Sequence, residues 1–256
     1  MTRDGLRLFY VPPDAVQGEQ VILGAEVSAH IRRVLKMGAG AICRVATEDG
    51  REYKVELTEI TAGESTARII EHLPMRPPSP TSIALGVPLL KGERFEWVLQ
   101  KGCELGADAF HPLTLERCEV RIQEKRSADR HNRWRRIVLE AAKQCDRIPP
   151  PVTHPPGGLA EYLAETDGFD LKLMGYLGED AIPAKEALSR VGEAGAGAPL
   201  RVAILTGPEG DLTDEEAKEA MDCGFLPVSL GPRILRADTA PVSLLTIAQH
   251  ALGDIG

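Results

Sequence analysis

Two polar loops in the last quarter of the chain carry the residues best suited to chemistry. Residues 206–210 read TGPEG and residues 230–236 read LGPRILR, and each loop follows an apolar run. Glycine lets the backbone lie against a bound molecule, while proline fixes φ and has no N–H to place. Within these loops the carboxylate of Glu209 could accept a proton, and the guanidinium of Arg236 could stabilise a developing negative charge.

The elements around the two loops predict where the loops lie. The runs VAILT and FLPVSL predict two strands, and a predicted helix with a Thr213–Glu216 capping box separates them. Thr239 is the predicted cap of the last helix. A single Gly-Pro after a strand usually marks only a turn. Two such loops on neighbouring strands would instead lie side by side, where open parallel sheets bind ligands.

Upstream of these loops the chain alternates between predicted strands and helices, which favours an α/β fold with a parallel sheet. DLKLMGY (170–176) predicts a central strand. Ser127 is the predicted cap of a long helix that buries Trp134. The stretch 191–199 is rich in Gly and Ala, but no apolar strand precedes it and no P-loop lysine follows, so it predicts a flexible connection.

The first 72 residues predict a small β-rich domain, because short alternating or β-branched runs are separated by turn signals. Between these runs, SAHIRRVLKM predicts a helix capped by Ser28, with Ile31, Val34 and Leu35 on its apolar face. Its other face carries Arg32, Arg33 and Lys36. Four prolines within residues 73–80 predict a semi-rigid linker, which leaves residues 81–256 for the sheet domain.

The charge of the chain is unevenly distributed. The formal net charge is −8, yet the segment 117–147 holds ten Lys and Arg residues against five Asp and Glu residues. Such a basic stripe is sufficient to bind phosphates on an otherwise acidic protein, although a solvated helix face explains it equally well.

Composition excludes several other classes of protein. No apolar run reaches the roughly 20 residues that a membrane helix needs, and MTRDGLRLFYVPPD does not resemble a signal peptide, so we expect a cytoplasmic protein. The five cysteines form no CxxC pair and have no histidine at ligand spacing. We therefore expect neither a disulfide framework nor a metal site.

The chain resembles the SPOUT-class bacterial 16S rRNA (uridine-N3) methyltransferase family over nearly its whole length. The resemblance rests on GPEG and LGPRILRADTAP in order and spacing, supported by KGERFEWVLQKGCELG, LERC and EAAKQCDR. RLFYV and HIRRVLKM extend it to the amino end. It implies a knotted SPOUT-type parallel sheet over residues 81–256, preceded by a PUA-like RNA-binding domain over residues 1–72.

The same resemblance implies that S-adenosyl-L-methionine binds in the loops after the strands. The implied cofactor-binding residues are Gly175, Tyr176, Thr206, Gly207, Glu209, Gly210, Leu230, Gly231, Ile234 and Leu235. Arg236 is the implied catalytic cation, and Glu209 is a second catalytic candidate whose alternative role is to order its loop. The chain departs from the family pattern at Asp211, where a glycine is usual, and at Asp238. We interpret Asp211 as a charge near a helix amino terminus.

The implied partner is 16S rRNA in the small ribosomal subunit, methylated at a uridine of the decoding region. Candidate RNA-binding residues are Arg7, Arg32, Arg33, Lys36, Arg117 and Arg147. SPOUT enzymes are homodimers, and the apolar last helix is an interface candidate, although it would serve equally well as core. Two alternatives stay open: another SPOUT reaction, at a ribose 2′-O or a guanosine N1, and a non-catalytic RNA-binding factor of ribosome assembly.

Overall fold

The computed structural model describes residues 5–189, 191 and 199–256, so the predicted connection 191–199 lies almost entirely outside the described residues. The chain divides into two compact units. One contains the chain as far as Pro77 together with Leu139–Pro150, and the other contains Pro78–Val138 and Pro151–Gly256. The unit limit falls within the predicted linker, but Leu139–Pro150 belongs to the first unit although sequence patterns placed it in the sheet domain.

The first unit is built on a six-stranded sheet in the order β1-β4-β5-β6-β3-β2. β1 and β4 are parallel, and the other pairs are antiparallel. Buried β-branched and aromatic side chains from alternate strand positions fill one core, which includes Phe9, Val45, Tyr53, Val55 and Leu57. The strands are β1 (Leu8–Val11), β2 (Val16–Gln17), β3 (Gln20–Leu23), β4 (Ile42–Thr47), β5 (Glu52–Glu59) and β6 (Ser65–Leu73).

The helix of the first unit differs from its prediction. Helix α1 (Ala25–Ala29) begins after Gly24 and continues as a π-helical segment, His30–Leu35. Ser28 is not a cap, because its buried hydroxyl donates to the carbonyl of Leu23. Val34 is exposed, whereas Ile31 is fully buried. The wider π-helical turns change which positions share a face, so the 3.6-residue spacing used for the prediction does not hold.

The second unit contains a parallel sheet of seven strands in the order β11-β13-β10-β12-β7-β8-β9. This confirms the α/β class. The strands are β7 (Thr81–Pro88), β8 (Ala109–Leu113), β9 (Val152–Thr153), β10 (Leu171–Gly175), β11 (Ile182–Pro183), β12 (Leu200–Thr206) and β13 (Leu226–Ser229).

The helices of the chain from Arg94 onward are α2 (Arg94–Glu104), α3 (Glu124–Cys145), α4 (Leu159–Glu165), α5 (Ala184–Ser189), α6 (Asp214–Asp222) and α7 (Thr239–Leu252). α3 starts before Ser127, so Ser127 is not its cap, but Trp134 is buried as predicted. The capping box of α6 is confirmed, whereas Asp238, not Thr239, stands at the N-cap of α7. In the described part of the chain, no helix has the length and apolar character needed to cross a membrane.

The strands that precede the two polar loops are not neighbours. β10 lies between β12 and β13, with Gly175 level with Thr206 on one side and with Val228 on the other. Strand order depends on pairing between distant segments, which local spacing does not specify. The crossing from β12 over β10 to β13 is compatible with the knot that the resemblance implies, and the knot itself stays a prediction.

Candidate active site

A pocket of ≈ 590 Å³ lies at the carboxyl ends of β10, β12 and β13. The loops after these three strands supply almost all of its walls, and Arg94 at the start of α2 completes them. All ten residues implied for cofactor binding line this pocket, as does Arg236. Because β10 lies between β12 and β13, the loops that follow all three strands meet in this pocket. α/β proteins bind ligands at this edge of the sheet.

The loop after β12 is held by its own chain and by Arg117. The guanidinium of Arg117 donates to the carbonyls of Gly210 and Leu212, at 2.8 and 2.9 Å. The neighbouring amide of Glu116 donates to Glu216 in the capping box of α6. The LERC stretch thus supports the GPEG loop, a role for Arg117 that sequence reasoning missed when it assigned this side chain to RNA.

Two glycines of the pocket are needed for different reasons. A Cβ on Gly207 would lie 2.6 Å from Oδ1 of Asp211 and 2.8 Å from the amide of Leu212, so the loop itself leaves no room for a side chain. Gly231 has a φ of 108°, which side chains resist, while the space around it is open. A branched residue at position 207 would therefore distort the loop before it reached a bound ligand.

The floor of the pocket contains an unsatisfied hydroxyl. Thr206 is 1% exposed, and its Oγ1 has no hydrogen-bond partner among the described residues. Leaving a buried hydroxyl unpaired costs about 1–3 kcal/mol. By contrast, Ile234 and Leu177 are 81% and 64% exposed at the walls. The exposed apolar walls favour a ligand with a flat apolar surface.

The two catalytic candidates have different surroundings. Glu209 is paired with Arg94, whose Nη2 lies 2.6 Å from Oε1 of Glu209. Arg236 is exposed, and its guanidinium makes neither a hydrogen bond nor an ion pair with any residue that the structure describes. Its carbonyl accepts from the amides of Thr239 and Ala240, which places it at the start of α7. A cation fixed by its backbone but unpaired at its guanidinium is available to a substrate.

Comparison with known proteins identifies the family of the chain. Residues 77–249 match the model of the RNA methyltransferase domain family, and residues 23–70 match the RNA methyltransferase PUA domain. Ribosomal RNA small subunit methyltransferase E of Bacillus subtilis is 31% identical over 90% of this chain and 89% of its own length. The chain belongs to the ribosomal RNA small subunit methyltransferase E family.

Other members of the ribosomal RNA small subunit methyltransferase E family extend the match. The Synechocystis protein is 34% identical over 93% of this chain and 75% of its own length. The solved structure of the Neisseria gonorrhoeae enzyme, bound to S-adenosyl methionine, has 28% identity and a TM-score of 0.82, over 98% and 100% of the two chains. A Legionella pneumophila methyltransferase in complex with S-adenosyl methionine has 31% identity and a TM-score of 0.84, over 98% and 99%.

The RNA-binding candidates of this family member divide between the two units. Arg7, Arg32, Arg33 and Lys36 are exposed in the first unit. Arg147 belongs to the same unit and is half-buried, and its carbonyl accepts from the hydroxyl of Tyr10. Arg117 belongs to the second unit, where its guanidinium is engaged by the GPEG loop. The first four side chains are therefore the ones free to reach an external partner.

A histidine cluster lies beside β8 and β9, which are the last two strands on the side of the sheet away from β13. The rings of His111 and His154 stack with centroids 3.9 Å apart and planes 18° apart, and Nδ1 of each lies within 3.4 Å of Oε2 of Glu165. The three side chains have the composition of a metal site. Sequence reasoning missed the cluster.

We expect His111 to make the protein less stable in acid. Burial, together with the charge of His154, lowers the pKa of His111 to about 3. The unfolded chain takes up this proton near pH 6.5, so stability falls as the pH drops from about 6.5 towards 3. His111→Phe should remove this part of the pH dependence, measured as the unfolding midpoint in denaturant at several pH values. An equally steep loss of stability in the variant would contradict it.

Proposed function

We propose that the protein transfers a methyl group from S-adenosyl-L-methionine to N3 of a uridine in the decoding region of 16S rRNA, acting on the small ribosomal subunit. The observation that carries the proposal is the pocket at the ends of β10, β12 and β13, which is lined by every residue implied for the cofactor. Family membership and two cofactor-bound relatives support it.

The pocket suits the cofactor chemically. The adenine ring needs a flat apolar surface, and the exposed side chains of Ile234 and Leu177 offer one at the pocket walls. Gly231 leaves open space in front of its backbone. When bound, S-adenosylmethionine supplies a methyl group already activated by its sulfonium. The protein has to orient the uracil ring and to assist the loss of the N3 proton.

Arg236 and Glu209 divide this work in the proposal. Loss of the imide proton leaves negative charge on the uracil ring, and the unpaired guanidinium of Arg236 stabilises it. Glu209 accepts a hydrogen bond or the proton, while Arg94 holds its carboxylate in place. Because base pairing hides N3, the target uridine is single-stranded or turned out of its helix.

The first unit supplies the RNA contacts in this proposal. We expect Arg32→Ala with Arg33→Ala to weaken binding to the small subunit without changing affinity for S-adenosylmethionine. Each lost phosphate contact should lower the slope of log K against log salt by about 0.7 to 0.9. Arg51→Ala with Arg68→Ala is a matched control, because these exposed arginines already pair with Asp49 and Glu56. If the double variant Arg32→Ala, Arg33→Ala keeps the wild-type slope, these two side chains do not contact RNA phosphates and are merely solvated.

The proposed assembly is a cytoplasmic homodimer. Leu244, Leu245 and Ala248 of α7 are buried within one chain, so they belong to its core. Val242 and Ile247 are half-exposed and remain for an interface between two copies. One side of the last helix thus belongs to the core, and the half-exposed side remains for the proposed dimer interface.

Titration with S-adenosylmethionine tests the enzyme against a non-catalytic assembly factor. The proposed enzyme binds the cofactor with saturable heat, and a pure RNA-binding factor shows none. Ribose 2′-O or guanosine N1 methylation would give the same heat, so these reactions differ from the proposal only in the nucleoside that gains the methyl group. The β-rich first unit and the LERC stretch favour the uridine-N3 reaction.

A further inference from the structure

Asp211 occupies an unusual backbone position in the GPEG loop. Its φ is 58°, a left-handed conformation that glycine adopts at least cost and that Asp and Asn tolerate better than other residues. α6 begins only at Asp214, with Thr213 as its cap. Asp211 lies two residues before this cap, and its interpretation as a charge near a helix amino terminus stays a prediction. Its carboxylate also makes contacts of its own.

The carboxylate of Asp211 connects two walls of the pocket. Oδ1 accepts from the amide of Leu212, at 2.9 Å, within the GPEG loop. Oδ2 accepts from the amide of Leu177, at 3.3 Å, in the segment that follows β10. Gly207 makes room for this arrangement, because a Cβ on residue 207 would lie only 2.6 Å from Oδ1. A glycine at position 211 would allow the same backbone conformation, but the amide of Leu177 would lose this hydrogen bond.

We propose that Asp211 is a positioning residue, which ties the wall at 175–178 to the GPEG loop and holds the pocket at the width its ligand needs. Both bonds are made within the protein, so the tie exists before any ligand binds. Its consequence for the cofactor rests on the proposed function. A wall that is free to move opens more often, and the bound cofactor leaves faster.

Hydrogen exchange at the amide of Leu177 tests the tie directly. Asp211→Gly keeps the left-handed backbone without a carboxylate. Asp211→Asn also tolerates this backbone, but its amide group accepts from only one of the two N–H groups. We expect both variants to raise the exchange rate of the Leu177 amide about 5-fold, and the affinity for S-adenosylmethionine to fall by a similar factor through faster dissociation. Asp180→Asn is the control.

The control makes the same chemical change three residues from Leu177, at an exposed carboxylate without hydrogen bonds or ion pairs to described residues. It should alter neither quantity. Unchanged exchange in Asp211→Gly and Asp211→Asn would overturn the tie. Faster exchange with unchanged affinity would overturn its role in holding the cofactor. If the wild-type protein binds no S-adenosylmethionine, the proposed function is contradicted. The exchange rates would still show whether Asp211 holds the segment at Leu177 in place.

Discussion

Arg236→Ala is expected to lower the single-turnover rate of methyl transfer by about 10²-fold at saturating cofactor, the scale found when one preorganised electrostatic donor is removed. The guanidinium lines the pocket but pairs with no described residue, and Glu209 is held by Arg94 instead. Its loss should therefore change neither the affinity for S-adenosylmethionine nor the thermal midpoint. Arg236→Lys keeps the charge and should recover part of the rate.

Arg201→Ala is a suitable control for this experiment. Arg201 lies near the start of β12, at the end of this strand opposite the pocket, and its guanidinium stacks on Phe169. It should keep the wild-type rate. If Arg236→Ala also keeps that rate, Arg236 is not the catalytic cation. If its affinity and its thermal midpoint fall together, the side chain is structural.

Arg44→Ala should destabilise the first unit by about 3–5 kcal/mol, as expected when one partner of a buried ion pair is removed. Arg44 is 4% exposed and contacts the carboxylates of Glu52 and Asp146, which are also buried. Burial alone would lower the pKa of Arg44, but its bonds to these two carboxylates outweigh burial and raise it. Without Arg44, the partly exposed Arg76 is the one cation that still pairs with these two acids among residues 5–189, 191 and 199–256.

Native-state hydrogen exchange at the amides of β4 and β5 measures this loss in the first unit alone. Arg68→Ala is the matched control, because Arg68 forms an exposed pair with Glu56 on the same sheet. Exposed pairs contribute roughly 0–1 kcal/mol, so protection should barely change. Equal effects of the two substitutions would show that the buried network does not stabilise the unit.

The two polar loops were predictable from the sequence because their signals are local, whereas the individual cofactor-binding residues were implied by the family resemblance. GPEG and LGPRILR each combine a strand end, a glycine and a proline within a few positions, and such patterns depend on backbone preferences that neighbouring residues determine. The capping box of α6 and the burial of Trp134 follow from equally short spacings, and the structure confirms both.

The features that were missed depend on contacts between distant segments. β10 lies between β12 and β13, Arg94 meets Glu209, and Arg117 supports the GPEG loop. The rings of His111 and His154 stack, although His111 lies on β8 and His154 follows β9. The π-helical segment His30–Leu35 exposes Val34 against a local pattern that predicted its burial. In each case the contacts or the burial of a residue depend on segments far away in the sequence, and local patterns do not predict such contacts.

The identity of the methylated nucleoside tests the central claim most directly. Small ribosomal subunits that lack the modification are incubated with the protein and S-adenosylmethionine carrying a labelled methyl group, and the rRNA is then digested to nucleosides and separated. The account predicts that the label appears in 3-methyluridine at one position of 16S rRNA. Label in a 2′-O-methyl nucleoside or in 1-methylguanosine, or no label under conditions where the cofactor binds, would contradict it.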